Sequence, residues 1–393
     1  MERKNLIIFI AVLLAVACVS ALCTAAIVTN DVNKRIHDAV EAEKSYYGNL
    51  TSDLDTLLEI KKLVDNNFVD GIVYENVDEA LAEKFVEALG DKYSEYLTKD
   101  ELKSYLNKVS GSFVGIGVTC VSKNGKIYID SVIENSPAEE AGIKGGESIV
   151  AVGDITVTEE TYDDAVNAVA GEKGTFVTLK IEDADGKIRT VKVERREVVT
   201  KTVHSEMLEG NIAYIRITQF ASNTADAFLK AVDTAINNGA KGFLFDVRDN
   251  SGGSLDSVVA ILDRILPKGP IVNIVYGSGK NETIFSDEKC IELPMAVLVN
   301  GKTASAAELF ASALRDYKIA ELYGVKTYGK GYMQSIITLN DGSGLRLSVA
   351  KYNPPYGENY EGVGVAPHVL VEDDAKTETD EQFESAKKYF INK

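Results

Sequence analysis

A serine and a lysine are the residues of this chain whose types and surroundings could do chemistry. Ser305 sits between two alanines in LVNGKTASAAELFASALRDY, directly after a β-branched apolar run. Lys330 lies downstream between the glycines of TYGKGYMQ, and Gln334 closes that segment. Serine with lysine is one of the few protein pairs that attack an amide without histidine. For lysine to act as a base near neutral pH, its pKa must fall by about 3 units from about 10.4, roughly 4 kcal/mol, which desolvation in an apolar pocket supplies. A glutamine nearby is able to orient the amine by a hydrogen bond. Each residue also has a plainer role when taken alone: serine commonly caps helices, and a lysine between glycines is commonly a solvated turn.

The elements that must position these groups alternate strand and helix over residues 198–371. MAVLVN reads as a buried strand ending at Asn300, and SAAELFASALRDY as the helix that follows. Ser305 therefore falls at a strand-to-helix junction. There the Ala306 N–H has no intrahelical acceptor and the helix dipole favours negative charge, both of which suit an oxyanion. In KGFLFDVRDNSGGSLDSVVAILDRIL, Gly252 and Gly253 stand between a buried strand and a helix, where glycines allow backbone N–H groups to face a ligand. A phosphate loop is excluded there, because neither GK[ST] nor G-x-G-x-x-G is present. NIAYIRITQF reads as a strand and TADAFLKAVDTAINN as a helix closed by Gly239. Repeated strand–helix units predict a mainly parallel sheet covered by helices.

Upstream, residues 107–197 change to short strands. GIGVTCV, KIYIDSVI and ESIVAV are strands, SPAEEAGI opens a helix with Ser136 as N-cap and Pro137 at its first position, and TYDDAVNAV is a helix starting at Thr161. A hairpin follows with Asp185-Gly186 at its turn. Residues 31–106 read as helical, with Leu54, Leu57, Leu58, Val64 and Phe68 on one face and Leu81, Phe85 and Leu89 repeating the pattern. Residues 1–30 hold an uncharged run from Leu6 to Val28 preceded by Arg3 and Lys4. That run is long enough to cross a bilayer, and the flanking charges predict export of the rest. It is read as a retained anchor, with a cleaved signal as the alternative. Residues 372–393 read as an acidic tail.

Composition limits the partners. The chain has 393 residues, enough for two or three domains, and a net charge of −18, which argues against nucleic acid. Cys18 and Cys23 lie in the apolar run, so Cys120 and Cys290 are expected as buried free thiols. No His or Cys cluster has metal-ligand spacing.

Together these motifs resemble the carboxyl-terminal processing, or tail-specific, protease family, serine peptidases with a PDZ domain. The resemblance rests on ALGDKYSEYLTKDELKSY, the order of elements over 107–197, DVRDNSGGSLD, TASAAE with Ser305 and Glu308, TYGKGYMQ, and YNPPYGENYEGVGVAPHVLVED. It implies a crotonase-like αββ protease core over 198–371 with a PDZ domain inserted at 107–197, behind the N-terminal helical region and the membrane or signal helix. It implies Ser305, Lys330 and Gln334 as a catalytic set, and Gly252 with Ala306 as oxyanion donors. Gly253, Glu308, Asp316 and Thr327 would be supporting residues, Asp316 also reading as a tie to Arg315 or a helix end. Val114, Gly115, Ile116 and Gly117 would form the loop that receives a peptide's terminal carboxylate, while the peptide pairs with the adjacent strand. Two departures are visible: Ala170 replaces the family's arginine before GEKGT, and His368 replaces an aspartate near the end.

The expected function is endoproteolysis of exported proteins gripped by their C-terminal tails, without metal, nucleotide or organic cofactor. The alternative is a PDZ scaffold that binds C-termini without cutting, or that cuts only when a regulatory partner realigns it. The N-terminal helices and acidic tail are candidate homodimer contacts. The expected location is the cell membrane, single-pass with an extracytoplasmic catalytic part, or outside the cell if the signal is removed.

Overall fold

A computed structural model of the chain describes residues 55–69, 77–373, 377 and 379–391. The chain divides into two units, Met1–Val77 and Asp78–Lys393. In the first, helix α1 spans residues 55–67, and Leu57, Leu58, Val64 and Phe68, expected on a packed face, are exposed. The apolar run expected as anchor or signal lies outside the described residues. Among those described, no helix is long and apolar enough to cross a membrane.

The second unit begins one residue into α2 (Val77–Glu87) and continues with β1 (Glu95–Leu97) and α3 (Lys99–Ser110). The expected α2 stripe of Leu81, Phe85 and Leu89 is exposed, while Val86 is buried. A region read as helical throughout is interrupted by β1, whose Glu95, Tyr96 and Leu97 pair with Arg346, Leu345 and Gly344. That partner lies far along the chain, so local periodicity does not reveal the strand. α3 has the local signals of a helix: Thr98 and Glu101 cap each other reciprocally, and Gly111, at φ 71°, ends it.

Next come β2 (Ser112–Gly115), β3 (Val118–Lys123), β4 (Lys126–Val132), α4 (Pro137–Glu140), β5 (Ser148–Val152), β6 (Ile155–Thr156), α5 (Tyr162–Val169), β7 (Phe176–Glu182), β8 (Ile188–Glu194) and β9 (Arg196–Val199). β3, β4, β5, β7 and β8 form a sheet in that order, with β6 beside β5, and β2 pairs with β9. Ser136 caps α4 as expected, accepting from Glu139 N, and Gly186 takes φ 79° in the β7–β8 turn. Ile127, Ile129, Ile149, Leu179 and Ile181 fill a separate core.

The remaining elements are β10 (Val203–Leu208), β11 (Ile212–Ile217), α6 (Thr224–Asn237), β12 (Gly242–Asp246), α7 (Leu255–Ile265), β13 (Gly269–Tyr276), β14 (Asn281–Ser286), β15 (Met295–Val299), α8 (Ala306–Asp316), β16 (Ala320–Gly324), β17 (Tyr332–Thr338), β18 (Gly344–Asn353), β19 (Val369–Leu370) and α9 (Glu381–Ile391). The main sheet runs β10-β11-β12-β15-β16-β19, parallel except for the β10–β11 pair. Every residue of β12 and β15 is buried. The reason is coverage of both faces: Phe243 and Phe245 meet α6, α7 and α8, while Leu244 meets Ala386 and Tyr389 of α9. α9 stands where an acidic tail was expected. Its Phe383, Ala386, Tyr389 and Phe390 face the sheet, and Arg248 bonds Asp380 just ahead of it. A second sheet, β1-β18-β13-β14 with β17 beside β18, is antiparallel and was not anticipated.

Candidate active site

Ser305 precedes the first residue of α8 with φ 56° and ψ −122°. A non-glycine residue at positive φ is uncommon and stores strain that its surroundings must hold. Three hydrogen bonds hold this turn. Thr303 Oγ1 donates to Val247 O at 2.8 Å and accepts from Asn300 N at 3.0 Å, and Ala304 N donates to Asn250 O at 2.9 Å. The Ser305 Oγ makes no capping bond. It lies 2.9 Å from the Tyr352 hydroxyl, so the plain reading of this serine as an N-cap fails.

Glu308 takes over the cap and does more. Its side chain is wholly buried, yet both oxygens are engaged. Oε2 accepts from Ser305 N and from Lys330 N, each at 2.8 Å. Oε1 accepts from Thr327 Oγ1 at 2.5 Å and Gly329 N at 2.6 Å. Burial pushes its pKa above the usual carboxylate value against the opposing effect of these donors. Thr327 also accepts from Val365 N at 2.7 Å, which ties in the closing segment of the core. The supporting roles expected of Glu308 and Thr327 thus have a geometry: they join the serine's helix to the lysine's loop.

A second carboxylate completes the hold on that loop. Glu361 Oε2 accepts from Gly331 N at 2.8 Å, and Oε1 accepts from the Tyr93 hydroxyl at 3.0 Å. The Lys330 Nζ lies 4.9 Å from the centre of the Tyr93 ring and has no hydrogen-bond or ion-pair partner among the described residues. Burial lowers its pKa and the nearby Arg346 guanidinium adds to that, while Glu361, Asp91 and Glu95 act in the opposite sense. The direction is the one a lysine base requires.

Lys330 Nζ and Ser305 Oγ do not hydrogen-bond each other in this structure. Gln334 is engaged elsewhere too: its amide donates to Tyr332 O at 3.0 Å and Ser348 Oγ at 3.2 Å. Asp316 binds Arg315 at 3.1 Å and accepts from Tyr356 N at 3.2 Å, the structural tie that was one of its two readings.

The glycine turn reaches the serine but divides its labour differently from expectation. The Gly252 N–H, expected as an oxyanion donor, donates to Asn250 Oδ1 at 2.8 Å. The N–H groups of Gly253 and Ala306 have no acceptor among the described residues. The φ of Gly252 is 100°, and a Cβ there would stand 2.7 Å from Ser305 Cβ. At Gly253 a Cβ would come within 2.2 Å of Phe220 O. Both positions require glycine.

Of the peptide-loop residues, Val114 and Gly115 lie in β2, paired with Glu197 and Arg196. Ile116 is buried and its carbonyl accepts from Ala138 N, yet its own N–H and that of Gly117 donate to nothing among the described residues. β3, just beyond, is the edge strand of its sheet and presents an unpaired row of backbone groups. Arg195 lies over Gly171, beside the departure at Ala170, and donates to the Ala168 and Val169 carbonyls. His368 Nδ1 accepts from Leu322 N at 3.0 Å, a bond a carboxylate could also make, so that departure concerns packing. Cys120 and Cys290 are free thiols but only partly buried, where full burial was expected, and desolvation raises the pKa of Cys120 to about 11.

Sequence reasoning missed Tyr352, Tyr93, Glu361 and Asn250. The first three lie in quoted motifs, KYNPPYGENYEG and GDKYSEY, that gave no sign of converging on one lysine. Asn250 was visible beside the glycines.

Comparisons with known proteins follow this geometry. The family model "Peptidase family S41" matches residues 211–371, and the model "PDZ domain" matches 128–183. The carboxy-terminal processing protease CtpA of Bacillus subtilis is 35% identical over 314 residues, covering 79% of this chain and 66% of that protein. A CtpA-like serine protease of Staphylococcus aureus is 30% identical over 368 residues, covering 93% of this chain and 72% of its own length. The chain spans between 59% and 66% of the length of the first curated relatives it matches. A solved structure from Bacteroides fragilis, described as an S41 protease, aligns with TM-score 0.53 at 18% identity over 79% of this chain and 90% of that one, a likeness of fold.

Proposed function

Because the chain belongs to peptidase family S41, with carboxy-terminal processing proteases among its relatives, we propose that it is a serine endopeptidase that cuts proteins delivered by their C-terminal tails. The observation that carries the reading is Ser305 at the mouth of α8, strained and uncapped, with its backbone joined through Glu308 Oε2 to that of a half-buried Lys330. In this reading neutral Lys330 takes the Ser305 proton and the oxygen attacks the amide carbonyl. Ala306 and Gly253 N–H groups stabilise the oxyanion, lysine protonates the leaving amine, and water releases the acyl group. Gly253 replaces Gly252 as the second donor because Asn250 occupies the Gly252 amide.

The tail is received by the Ile116 and Gly117 N–H groups and by the open edge of β3, converging donors for a carboxylate beside a strand available for pairing. The crotonase-like reading of residues 198–371, the PDZ limits of 107–197, Gln334 as the lysine's orienting partner, and export behind a membrane anchor at 1–30 are proposals of the same kind.

A second reading has one observation in its favour: Ser305 Oγ is bonded to Tyr352 and Gln334 to Ser348, with neither on Lys330. It is a protease at rest, realigned when a tail or partner binds.

The test incubates the full chain, Ser305→Ala and Lys330→Ala with an unstructured protein bearing an apolar C-terminus. Cleavage by the parent alone supports the protease. Cleavage that appears only after tail peptide is added supports the resting form. Tail binding without cleavage under either condition leaves a scaffold, and equal cleavage by all three proteins removes Ser305 and Lys330 from the chemistry.

A further inference from the structure

Tyr352 lies in β18 with 3% of its surface exposed, and its phenol oxygen reaches two groups: Ser305 Oγ at 2.9 Å and Lys330 O at 3.1 Å. The ring is held on every side that matters. Its backbone N–H donates to Gly331 O at 3.1 Å, and Asn359 Nδ2 donates to both Tyr352 O and Gly331 O at 2.9 Å. Tyr360 packs edge-on against it with centroids 5.9 Å apart. Tyr352 is thereby fixed to the loop that carries Lys330 while touching the oxygen of Ser305.

A buried phenol needs one partner to satisfy its proton, and Lys330 O suffices for that. The contact with Ser305 is additional. The phenol has one proton and two lone pairs. The phenol O–H is placed to donate either to Lys330 O or to Ser305 Oγ.

We propose that Tyr352 is a further catalytic residue, whose phenol donates to Ser305 Oγ and holds that bond as the oxygen gains charge once Ser305 has given its proton to Lys330. The inference rests on the reading of Ser305 as nucleophile.

The proton balance is simple. The Ser305 O–H bond breaks, its proton goes to the Lys330 amine, and the electron pair left on oxygen attacks the substrate carbonyl. The Tyr352 proton stays on the phenol and is donated to Oγ. Burial raises the phenol's pKa well above its ordinary value, so it remains a neutral donor and does not compete with Lys330 as base. A hydrogen bond to an oxygen bearing negative charge is about twice as strong as one between neutral groups. The contact therefore strengthens between ground state and transition state, and its loss falls on kcat.

The test uses the full chain with Tyr352→Phe, Tyr360→Phe and Ser305→Ala. It reads steady-state cleavage, the second-order rate at which a fluorophosphonate labels Ser305, and the melting temperature. Tyr352→Phe should lower kcat and the labelling rate by about 10- to 100-fold, short of the loss of a whole oxyanion donor, with KM within about twofold. Tyr360→Phe, which keeps the ring packed on Tyr352 and removes only the Tyr360 hydroxyl with its 3.3 Å bond to Ser305 O, should stay within about threefold. The inference is overturned if Tyr352→Phe keeps both rates within that margin, or if Tyr360→Phe loses as much. Cleavage that survives Ser305→Ala removes the serine reading itself, a distinguishable failure. Should Tyr352→Phe not fold, a polyfluorinated tyrosine at 352 replaces it. Its more acidic phenol should add a falling limb to the pH–rate profile at high pH, and an unchanged profile overturns the inference.

Discussion

The backbone N–H groups of Ser305 and Lys330 donate to the same oxygen, Glu308 Oε2, each at 2.8 Å. One buried carboxylate thus sets the distance between the start of α8 and the loop ahead of β17. With Glu361 on Gly331 N, the N–H groups of residues 329, 330 and 331 are all taken by two side chains. Lys330 is held by its backbone, and its amine has no hydrogen-bond or ion-pair partner among the described residues.

Glu308→Gln keeps the shape but turns an NH2 toward groups that themselves donate. At least two of four donors lose their acceptor, a loss of about 2 to 4 kcal/mol for buried polar groups. Urea unfolding should show that drop, and peptide cleavage should fall with it at temperatures where the variant is still folded. Stability within about 0.5 kcal/mol of the parent would contradict the role assigned to this carboxylate.

Cleavage should rise with pH through the ionisation of Lys330, since only the neutral amine accepts a proton. Burial and then Arg346 hold that ionisation below 10.5, so the rising limb lies below that value. Arg346→Met removes one of the two lowering causes and should move the midpoint of kcat/KM upward. A midpoint that falls or stays argues against the assignment.

The same shift has a stability sign. The folded pKa of Lys330 lies below the unfolded one, so the unfolded chain binds more protons in the window between them and stability increases with pH across it. Below that window the folded state carries a partly buried charge. Lys330→Met should therefore be inactive yet at least as stable as the parent at pH 7, as read by thermal unfolding.

Gly252→Ala would bring a methyl within 2.7 Å of Ser305 Cβ and 2.8 Å of Ala304 O at a φ of 100°. The serine must move, and cleavage should drop by about 100-fold or more, on the scale of a lost oxyanion donor. Fluorophosphonate labelling of the folded variant is the check; parent-like labelling would mean that the turn tolerates the methyl.

Asp380→Asn tests the tie between α9 and the glycine turn, since Arg248 bridges Asp380 and the wholly buried Asp246. The Arg248 contact contributes to holding Asp380 below 3.8, so the stability it provides is present above that value and is lost as pH falls through the lower folded pKa. Asp380 is partly solvated, so the variant should lose only about 1 kcal/mol at pH 7 and show a shallower acid transition. An acid transition unchanged by the substitution would place that pH dependence elsewhere.

Some of this was legible from residues alone. The unbroken apolar runs GFLFD and MAVLV announce strands buried on both faces, and the alternation with helices announces a parallel sheet. Ser305 at a strand-to-helix junction, Lys330 between glycines and the paired glycines at 252 and 253 were found because each is a short-range signal: a type of residue at a type of boundary. α9 was also within reach, for Phe383, Ala386, Tyr389 and Phe390 keep helical spacing inside an acidic stretch.

What the tertiary structure decided is which of these groups meet. β1 exists only because β18 supplies its partners. Tyr93, from one stretch, and Tyr352 with Glu361, from another far along the chain, converge on one lysine and its loop. In the glycine turn Asn250 takes the Gly252 amide, and the Gly253 amide is left without an acceptor among the described residues. Local sequence sets dihedral preference and polarity, both of which act within a turn or two of chain. Hydrogen bonds between distant segments depend on how the sheets pack, and that packing alone turns a capping serine and a turn lysine into a candidate catalytic pair.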